Sequence, residues 1–274
     1  MTQKAETAVI TGAGDGIGRA LALNLNARGI NLYLCDISPE RVAETKELLD
    51  PERGSVSTAV VDCGNREAIE AWAEGIASEV TTIEFLFNNA GVAYASEFRS
   101  ATLDNFEWLM NINYWGVVWS TKAFLPLLEA SPSGHLINIS SIFGMVGIAT
   151  QSAYNSAKFA VRGFTESLQA EYRGSSLTVT CVHPGGISTN IAFRARTDGE
   201  AAETSAEERD SSFRQVARTS PMKAAEVIMK GVLGGRRRVF IGWDAWFIQI
   251  LTKFLPTSYH LVTARMATKN NEPS

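Results

Sequence analysis

Short apolar runs alternate with longer amphipathic stretches along most of the chain. The runs are almost continuously apolar, which is typical of strands that are buried on both faces of a parallel sheet. The stretches between them have the length of helices, so the pattern predicts a doubly wound α/β sheet with helices on both faces. Six strands are predicted, over residues 7–11, 30–36, 56–61, 83–89, 135–140 and 177–183.

The predicted helices follow the strands in turn. They cover residues 16–28, 39–50, 67–78, 103–129 and 151–172. Gly29 directly follows the first helix and Pro39 opens the second, which are favoured positions for these residues. Because no linker rich in Pro, Gly or Ser divides the chain, one catalytic domain is predicted over residues 1–242.

Two later segments break the alternation. Residues 194–212 are rich in charge and poor in large apolar side chains, which predicts a mobile loop or a weakly held helix in a substrate loop at about 190–215. Residues 243–274 are predicted to form a C-terminal extension that starts with an amphipathic helix. Its large apolar residues recur at helical spacing: Trp243, Trp246, Phe247, Ile250, Leu251 and Phe254.

The apolar stripe of this helix has two interpretations. Arginines at 236–238 precede it, and an amphipathic aromatic helix near basic residues can lie in a membrane interface. Its 14 residues are too few to span a bilayer. Alternatively, the stripe packs on the domain, closes the substrate pocket or forms a subunit contact.

Composition narrows the classes of function. The 274 residues are 45% hydrophobic and 20% charged, as in an ordinary soluble globular protein. The net charge of -4 argues against a nucleic-acid partner, which usually requires a basic surface. Cys35, Cys63 and Cys181 have no metal-ligand spacing and lie in or beside apolar runs, which predicts buried thiols in a reducing compartment. The N-terminus does not resemble a signal peptide, so a cytoplasmic location is predicted, and no metal site is expected.

A glycine-rich turn follows the first strand and opens the first helix. Residues 11–18 read TGAGDGIG, and glycines let such a turn approach a diphosphate closely while the helix N-terminus attracts its charge. The turn therefore predicts a dinucleotide site that includes Gly12, Asp15, Gly16, Ile17 and Gly18. The alternative is a glycine turn that only packs the helix against the strand.

Two aspartates follow at strand ends. Asp36 ends the second strand, 18 residues after Gly18, where a carboxylate can accept hydrogen bonds from a ribose diol. It would repel the extra phosphate of NADP, and Asp15 adds negative charge nearby, so NAD is the predicted cofactor. Asp62 ends the third strand and could accept a hydrogen bond from the adenine amino group. The alternatives are that Asp36 caps a helix or turn and that Asp62 is an ordinary strand-end residue.

A tyrosine and a lysine stand four residues apart in YNSAK, residues 154–158, and so share one face of a helix. A lysine ammonium beside a phenol stabilises the phenolate and lowers the pKa of the tyrosine. Such a tyrosine can exchange a proton with an alcohol or ketone oxygen. Taken alone the pair is weak evidence, because the same spacing occurs by chance on solvated helices.

With NNAG at residues 88–91 and the serine pair of NISS at 138–141, these motifs resemble those of the short-chain dehydrogenase/reductase family. The resemblance covers about residues 6–190 and continues weakly to about 240. It implies a Rossmann-like domain, a nicotinamide cofactor and hydride transfer between a carbinol and a carbonyl. It also implies a homodimer or homotetramer formed through the helices near 103–129 and 151–172.

The resemblance assigns residues as well. It implies catalytic roles for Asn113, Ser141, Tyr154 and Lys158. Ser141 is preferred to Ser140 because it lies 13 residues before Tyr154, and Asn113 is preferred to Asn111 because it has the Asn-x-x-Gly context. Cofactor contacts are implied for Gly12, Asp15, Gly16, Ile17, Gly18, Asp36, Asp62, Cys63, Asn89, Ala90, Gly91, Tyr154, Lys158, Pro184, Gly185, Ile187 and Thr189.

The implied mechanism makes Tyr154 the general base on a substrate hydroxyl in the oxidative direction. Ser141 would hydrogen-bond the same oxygen, and Lys158 would lower the Tyr154 pKa and hold the nicotinamide ribose. Asn113 would hold a water that links Lys158 to solvent. The three histidines are scattered, and His183, at a strand end, is expected to be structural.

The segments expected around the substrate are apolar. Predicted contacts are Tyr94, Phe143, Met145 and Phe193, and no neighbouring Arg or Lys is positioned in sequence to clamp a carboxylate or phosphate. A lipophilic alcohol or ketone is therefore expected: a steroid, or a long-chain, aromatic or terpenoid carbinol. The alternatives are an NADPH-dependent ketone or 3-oxoacyl reductase and a non-catalytic nucleotide sensor on the same fold.

Overall fold

A computed structural model describes residues 6–261 of the chain, so residues 1–5 and the predicted extension beyond Leu261 lie outside the described part. The strands are β1 (Thr7–Thr11), β2 (Asn31–Asp36), β3 (Val56–Val60), β4 (Phe85–Asn88), β5 (Tyr94–Ala95), β6 (His135–Ile139), β7 (Thr178–Pro184), β8 (Arg196–Thr197) and β9 (Arg238–Ile241). The helices are α1 (Gly16–Asn26), α2 (Pro39–Glu47), α3 (Arg66–Glu79), α4 (Leu103–Met110), α5 (Gly116–Glu129), α6 (Ser152–Glu171), α7 (Ala206–Val216), α8 (Pro221–Leu233) and α9 (Trp243–Phe254).

Seven strands form one parallel sheet in the order β3-β2-β1-β4-β6-β7-β9. The order reverses between β1 and β4, and the carboxyl ends beside such a reversal form the usual ligand crevice of an open α/β sheet. The predicted doubly wound fold is confirmed. The predicted motifs consequently lie together at one edge of the sheet. They are the glycine turn, Asp36, the NNAG turn, the serine pair and the turn after β7.

Helices cover both faces of the sheet. One core cluster joins residues of α1, α2 and α8 to the strands, and a second joins α3, α5 and α6 to the opposite face. Every residue of β1 is buried, as expected for a central strand covered on both sides. Fully buried Phe87 and Phe124 belong to the two different clusters. Rigid layers therefore support the edge at which the motifs meet.

The structure departs from the predicted elements in five places, of which two are the helix α8 and the two-residue strand β5, neither of which was predicted. A seventh strand of the sheet, β9, was not predicted either, because it is short and begins with Arg238, the last residue of an arginine run that hides the apolar pattern. The predicted helix 103–129 is interrupted by a π-helical turn at Asn111–Trp115. The polar segment predicted as a loop or weak helix contains β8, a 3₁₀ turn and α7.

Helix α9 packs beside β9 and the loop that follows β6. Its buried side chains are Ala245, Ile248 and Leu251, which join Met145 and Val146 in a separate apolar cluster. Among residues 6–261, no helix is both long enough and apolar enough to cross a membrane.

Candidate active site

The glycine turn between β1 and α1 is held against the NNAG turn that follows β4. Thr11 Oγ1 accepts hydrogen bonds from the backbone N–H groups of Asn89 and Ala90, each at 3.0 Å. The Asn89 side chain donates to the carbonyl oxygens of Thr11 and Gly12, also at 3.0 Å. The two motifs therefore form one structure, and Thr11 is a member that motif spacing did not single out.

Two glycines make this close approach possible. Gly12 has a φ of +64°, and a Cβ built there would lie 2.8 Å from the Cα of Ala90. A Cβ on Gly18 would lie 2.1 Å from the carbonyl oxygen of Gly12, so any larger residue would force the turn apart. Because α1 begins at Gly16, its unpaired N–H groups lie at this turn and favour an anionic ligand.

Asp36, at the end of β2, is buried and accepts three hydrogen bonds. The Gly14 N–H donates to one carboxylate oxygen and the Ser38 N–H to the other, each at 3.0 Å. The Arg41 guanidinium, on α2, donates to the second oxygen at 2.6 Å. Asp36 thus holds the turn into α2, as the alternative interpretation expected, and it also faces the glycine turn with a cation at its side.

Asp15 connects the glycine turn to residues 190–216, which we call the lid. It accepts hydrogen bonds from the Gly16 N–H at 2.7 Å, from Asn190 Nδ2 at 2.8 Å and from Arg194 at 2.6 Å. Burial alone would raise the pKa of Asp15, but these hydrogen bonds and the Arg194 charge lower it. The lid is therefore attached directly to the predicted cofactor turn.

A second attachment joins the lid to the start of α4. Tyr94 donates its hydroxyl to Asp198 at 2.5 Å, and the Thr102 hydroxyl donates to the same carboxylate at 2.9 Å. The hydrogen bond from Tyr94, with those from its neighbours, lowers the pKa of Asp198 to about 2. Since its hydroxyl is engaged in this way, Tyr94 holds the lid, and its predicted contact with substrate stays a prediction. The mobility predicted for this segment also stays a prediction.

Asp62 and Cys63 follow β3, next to the end of β2. Asp62 is exposed and accepts a hydrogen bond from the Gly64 N–H at 2.8 Å, so its carboxylate is accessible to a ligand. The Cys63 side chain instead packs in an apolar cluster beside Cys35. Burial, followed by the neighbouring Cys63 thiol, raises the pKa of Cys35 well above its usual value.

Asn113 lies in the π-helical turn that separates α4 from α5, and it is fully buried, whereas Asn111 is exposed. Its side chain accepts a hydrogen bond from the Val92 N–H and donates one to the Val92 carbonyl, both at 2.8 Å. A Cβ built on Gly91 would lie 3.3 Å from Asn113 Oδ1 and 3.5 Å from Lys158 Nζ, so these two polar atoms flank the NNAG turn. The water predicted for Asn113 stays a prediction.

The two serines after β6 have different partners. Ser140 is buried and donates its hydroxyl to the Lys158 carbonyl at 2.8 Å. The Ser141 hydroxyl accepts a hydrogen bond from the Phe143 N–H at 3.1 Å and lies near enough to the Tyr154 phenol to lower the pKa of Tyr154. The structure therefore brings Ser141, and not Ser140, to the tyrosine.

Tyr154 and Lys158 lie one turn apart on α6. Lys158 Nζ lies 5.6 Å from the centre of the Tyr154 ring and donates to the Ile139 carbonyl at 3.0 Å. Burial lowers the pKa of Lys158 to about 8. Burial raises the pKa of Tyr154 to about 12, against the lowering effect of its hydrogen bond with Ser141. The expected lowering of the Tyr154 pKa is therefore wrong for this structure, because desolvation of the phenolate dominates.

His183, the penultimate residue of β7, contacts the backbone of Ser141 and helps to position it. Its Nδ1 lies 3.1 Å from the Ser141 carbonyl oxygen, and its ring stacks on Phe240 with centroids 5.3 Å apart. Burial lowers the pKa of His183 to about 4, so the ring is neutral at neutral pH. Because a carbonyl only accepts, Nδ1 carries the proton in this contact.

Four predicted cofactor contacts lie at the end of β7 and in the turn that follows it, next to the glycine turn. They are Pro184, Gly185, Ile187 and Thr189. The Thr189 methyl carbon lies 2.9 Å from a Cβ built on Gly16. The Gly186 N–H donates to the Asp244 carboxylate of α9 at 2.7 Å. Asp244 was not predicted as a site residue, because no local pattern links positions that are 58 residues apart.

The remaining predicted substrate residues occupy different environments. Phe143 meets the Tyr154 ring edge-on, with centroids 6.0 Å apart. Met145 is buried against α9. Phe193 is 43% exposed and borders a surface pocket of about 530 Å³. The other residues that line this pocket are polar: Glu207, Asp210, Ser211, Arg214 and Gln215. Phe143 is thus the predicted residue that contacts the tyrosine.

Asn155, the neighbour of Tyr154, organises the loop that carries Phe143. Its Nδ2 donates to the carbonyls of Phe143 and Val146, both at 2.7 Å, and its Oδ1 accepts from the Ile148 N–H at 3.1 Å. All the polar atoms of this buried amide are used to hold the loop. Sequence reasoning missed this role, although a polar side chain next to the tyrosine on a half-buried helix was a signal.

These features fit a nicotinamide dinucleotide. The glycine turn and the N-terminus of α1 suit a diphosphate, and the Asp36 carboxylate suits a ribose diol. The exposed Asp62, after β3, would lie at the adenine end of such a cofactor. Ser141, Tyr154 and Lys158 lie on the other side, toward the turn after β7. Within residues 6–261 no group of three or more His, Cys, Asp or Glu side chains could hold a metal ion.

Comparisons with known proteins agree with this geometry. The sequence profile described as short chain dehydrogenase matches residues 6–200. The Mycobacterium tuberculosis protein SadH, which is named as an oxidoreductase, is 43% identical over 262 residues, 94% of each chain. Human estradiol 17-beta-dehydrogenase 11 is 31% identical over 264 residues, which cover 95% of this chain and 82% of that protein.

Solved structures show the same fold. A short-chain dehydrogenase from Streptomyces avermitilis has a TM-score of 0.80 at 26% identity, over 99% of this chain and all of that one. A Burkholderia phymatum short-chain dehydrogenase/reductase in complex with NAD has a TM-score of 0.78 at 23% identity, over 98% and 96% of the two chains. The chain therefore belongs to the short-chain dehydrogenase/reductase family of oxidoreductases.

Proposed function

We propose that this enzyme interconverts a lipophilic secondary alcohol and the corresponding ketone, with NAD as the preferred cofactor. The observation that carries the proposal is the group formed by Tyr154, Ser141 and Lys158. Ser141 lies beside the Tyr154 phenol and lowers its pKa, and the Lys158 ammonium is buried one helical turn away. Together they provide a proton donor and acceptor, a hydrogen-bond donor for the substrate oxygen and a buried positive charge.

Each residue has a separate task in this proposal. Tyr154 exchanges a proton with the substrate oxygen, and Ser141 hydrogen-bonds the same oxygen and fixes its position. Lys158 places positive charge beside the phenol and holds the nicotinamide ribose. Asn113 holds a water that connects Lys158 with solvent. When bound, the nicotinamide supplies the hydride acceptor or donor.

The preference for NAD rests on the charges at the end of β2. The Asp36 carboxylate, held by Gly14 and Ser38, suits a ribose diol and repels a phosphate in the same place. Arg41 neutralises part of that charge, so the preference is expected to be substantial rather than absolute. The alternative is an NADPH-dependent reductase, and the comparison of NAD with NADP described below distinguishes the two functions.

A lipophilic substrate is supported by the surroundings of the tyrosine. The Phe143 ring lies edge-on to Tyr154, and the apolar cluster around Tyr154 includes Val92. The name of the human relative, an estradiol 17-beta-dehydrogenase, makes a steroid carbinol the first class to test. Long-chain, aromatic and terpenoid carbinols follow.

The assembly and the compartment are part of the same proposal. A homodimer or homotetramer through α4, α5 and α6 would cover the exposed Trp115 and Phe159. The three free cysteines are buried, which suits a reducing compartment, and the cytoplasm is the compartment proposed.

The test is nicotinamide absorbance during turnover on a panel of steroid, long-chain and aromatic alcohols, with NAD and NADP compared. We expect Tyr154→Phe to lower kcat by about 10² or more while the Kd for NADH stays nearly unchanged. Ser140→Ala is the matched control, because that hydroxyl contacts only the Lys158 backbone in the described structure. Near-normal turnover in Tyr154→Phe would remove the tyrosine from the mechanism. Binding of NADH without turnover in either direction would favour the nucleotide sensor.

A further inference from the structure

Helix α9 exposes the side that carries its aromatic residues. Five large apolar residues of α9, which we call the aromatic face, are exposed: Trp243, Trp246, Phe247, Ile250 and Phe254. Trp243, Trp246, Ile250 and Phe254 are each more than half exposed, at 66%, 52%, 54% and 72%. Such a continuous apolar surface is uncommon on a protein that has no partner there.

Packing on the domain explains this face only in part, because the Trp246 ring contacts Phe240 of β9, with centroids 5.5 Å apart, whereas the other four residues lie outside the buried cluster. Ala245, Ile248 and Leu251 point into the apolar cluster beneath the helix. At 100° per residue, the aromatic face spans about a third of the helix circumference and lies away from Ala245 and Ile248. Leu251, which shares the helical spacing of this face, lies at its edge and is buried.

The charge of this part of the chain is opposite to that of the rest. Residues 245–261 contain no Asp, Glu or Arg and one Lys, Lys253, whereas the whole chain has a net charge of -4. Within α9, the Asp244 carboxylate is turned inward to the Gly186 and Ala245 N–H groups. Lys253 is exposed and borders the aromatic face by helical geometry. The charged side chain that borders the aromatic face is thus a cation, which attracts an anionic surface.

We propose that the aromatic face of α9 docks the enzyme peripherally on an anionic lipid surface. The two tryptophans and two phenylalanines of this face are aromatic side chains of the kind that amphipathic helices place at the membrane interface. Lys253 can extend its ammonium toward lipid phosphates while its stem stays on the apolar surface. A second copy of this chain is a poorer occupant, because two copies would bring like charges together where no carboxylate of residues 245–261 can pair with them.

Docking would place the lipid surface beside the candidate active site. Asp244 binds the turn after β7 through Gly186, and the Tyr259 hydroxyl accepts a hydrogen bond from the Gly147 N–H at 3.3 Å. Ile248 and Leu251 pack on Met145, which follows Ser141 by four residues. If the proposed function holds, a lipophilic carbinol dissolved in the membrane therefore reaches the site close to its point of exit from the lipid.

The test is co-sedimentation of the full chain with vesicles of mixed phosphatidylglycerol and phosphatidylcholine, compared with phosphatidylcholine alone. We expect binding to the anionic vesicles that weakens at high salt. The double variant Trp246→Glu/Phe254→Glu should lower partitioning at least tenfold, and Lys253→Gln should lower it about fivefold. Phe98→Glu is the matched control: Phe98 is 69% exposed on another surface, and this variant should bind as the wild type does.

Two outcomes would overturn the proposal. In one, folded wild type stays in the supernatant with anionic vesicles at low salt. In the other, the double variant abolishes self-association in gel filtration while vesicle binding is absent in both proteins, which would make α9 a subunit contact. Because binding is measured without substrate, a protein that binds vesicles but turns over no alcohol would retain the docking and lose the proposed function.

Discussion

Arg194 of the lid donates to the Asp15 carboxylate of the glycine turn at 2.6 Å. Asp15 stands at the N-terminus of α1, where the helix would otherwise attract an anionic ligand. A carboxylate in this position opposes a diphosphate, and the guanidinium compensates for it. The ion pair therefore relates the position of the lid to the charge of the cofactor turn.

Removal of this guanidinium is expected to weaken dinucleotide binding. Arg194→Ala leaves the Asp15 charge without its cation, and we expect the Kd for NADH to rise about fivefold at low ionic strength, as for a partly exposed ion pair. Fluorescence titration measures the change. Asp15→Asn in the same background should restore most of the affinity, and an effect equal in both backgrounds would show that Arg194 acts independently of Asp15.

The choice of cofactor is expected to depend on Asp36 and Arg41 together. Asp36→Ser would release the Arg41 guanidinium, which is now held at 2.6 Å, to bind a ribose phosphate. We expect the ratio of kcat/KM for NADP to that for NAD to rise about a hundredfold. Steady-state kinetics with both cofactors provide the measurement. Arg41→Ala added to Asp36→Ser should cancel the gain with NADP; if it does not, another group binds the phosphate.

The parts of the fold that could be predicted are those with a local pattern. Continuous apolar runs identified six of the seven strands of the sheet, and glycine spacing located the turn that meets Asn89. The missing parts depend on contacts between distant residues. Tyr94 and Asp198 are 104 residues apart, and no periodicity marks them as partners. The π-helical turn around Asn113 likewise depends on the Val92 backbone rather than on helix propensity.

The buried ammonium of Lys158 is expected to lower stability at neutral pH. Folding lowers its pKa from 10.5 to about 8, so below pH 8 both states are protonated and the full penalty of burial is present. Between pH 8 and 10.5 the unfolded state binds more protons, and the free energy of unfolding rises with pH as the penalty disappears. The lowered pKa corresponds to a penalty of about 3 kcal/mol.

Lys158→Met should therefore unfold at higher temperature than the wild type at pH 7, while losing activity. Loss of the hydrogen bond to Ile139 offsets about 1 kcal/mol, so a net gain of about 2 kcal/mol is expected. Calorimetry across the pH range should show this gain shrinking between pH 8 and 10.5. Lys223→Met, at a side chain that is 65% exposed, should show no such trend. If the gain in the free energy of unfolding of Lys158→Met were the same at every pH, the buried ammonium of Lys158 would not be the source of that gain.

Asn155 is expected to act on the loop that carries Phe143 rather than on the chemical step. Asn155→Ala leaves two carbonyls and one N–H without their partner, and we expect about 2 kcal/mol less stability. KM for the alcohol should rise severalfold while the Kd for NADH is unchanged, because the loop carries Phe143. Thermal unfolding and steady-state kinetics measure both effects. The neighbouring exposed Ser156→Ala is the control, and equal effects in both variants would contradict a specific role for the amide.

The contacts of α9 and of Tyr259, which follows it, also have a consequence for the order in which the protein folds during synthesis. Asp244 and Tyr259 bind the backbone at Gly186 and Gly147, which are synthesised long before them. Domains begin to fold from the N-terminal side as the chain leaves the ribosome, so the sheet can assemble before these two residues emerge. The turns beside the candidate site gain their last partners only when the end of the chain is free. A chain that stops near residue 242 would contain every catalytic candidate. It would still lack α9 and Tyr259, whose hydrogen bonds hold the backbone at Gly186 and Gly147.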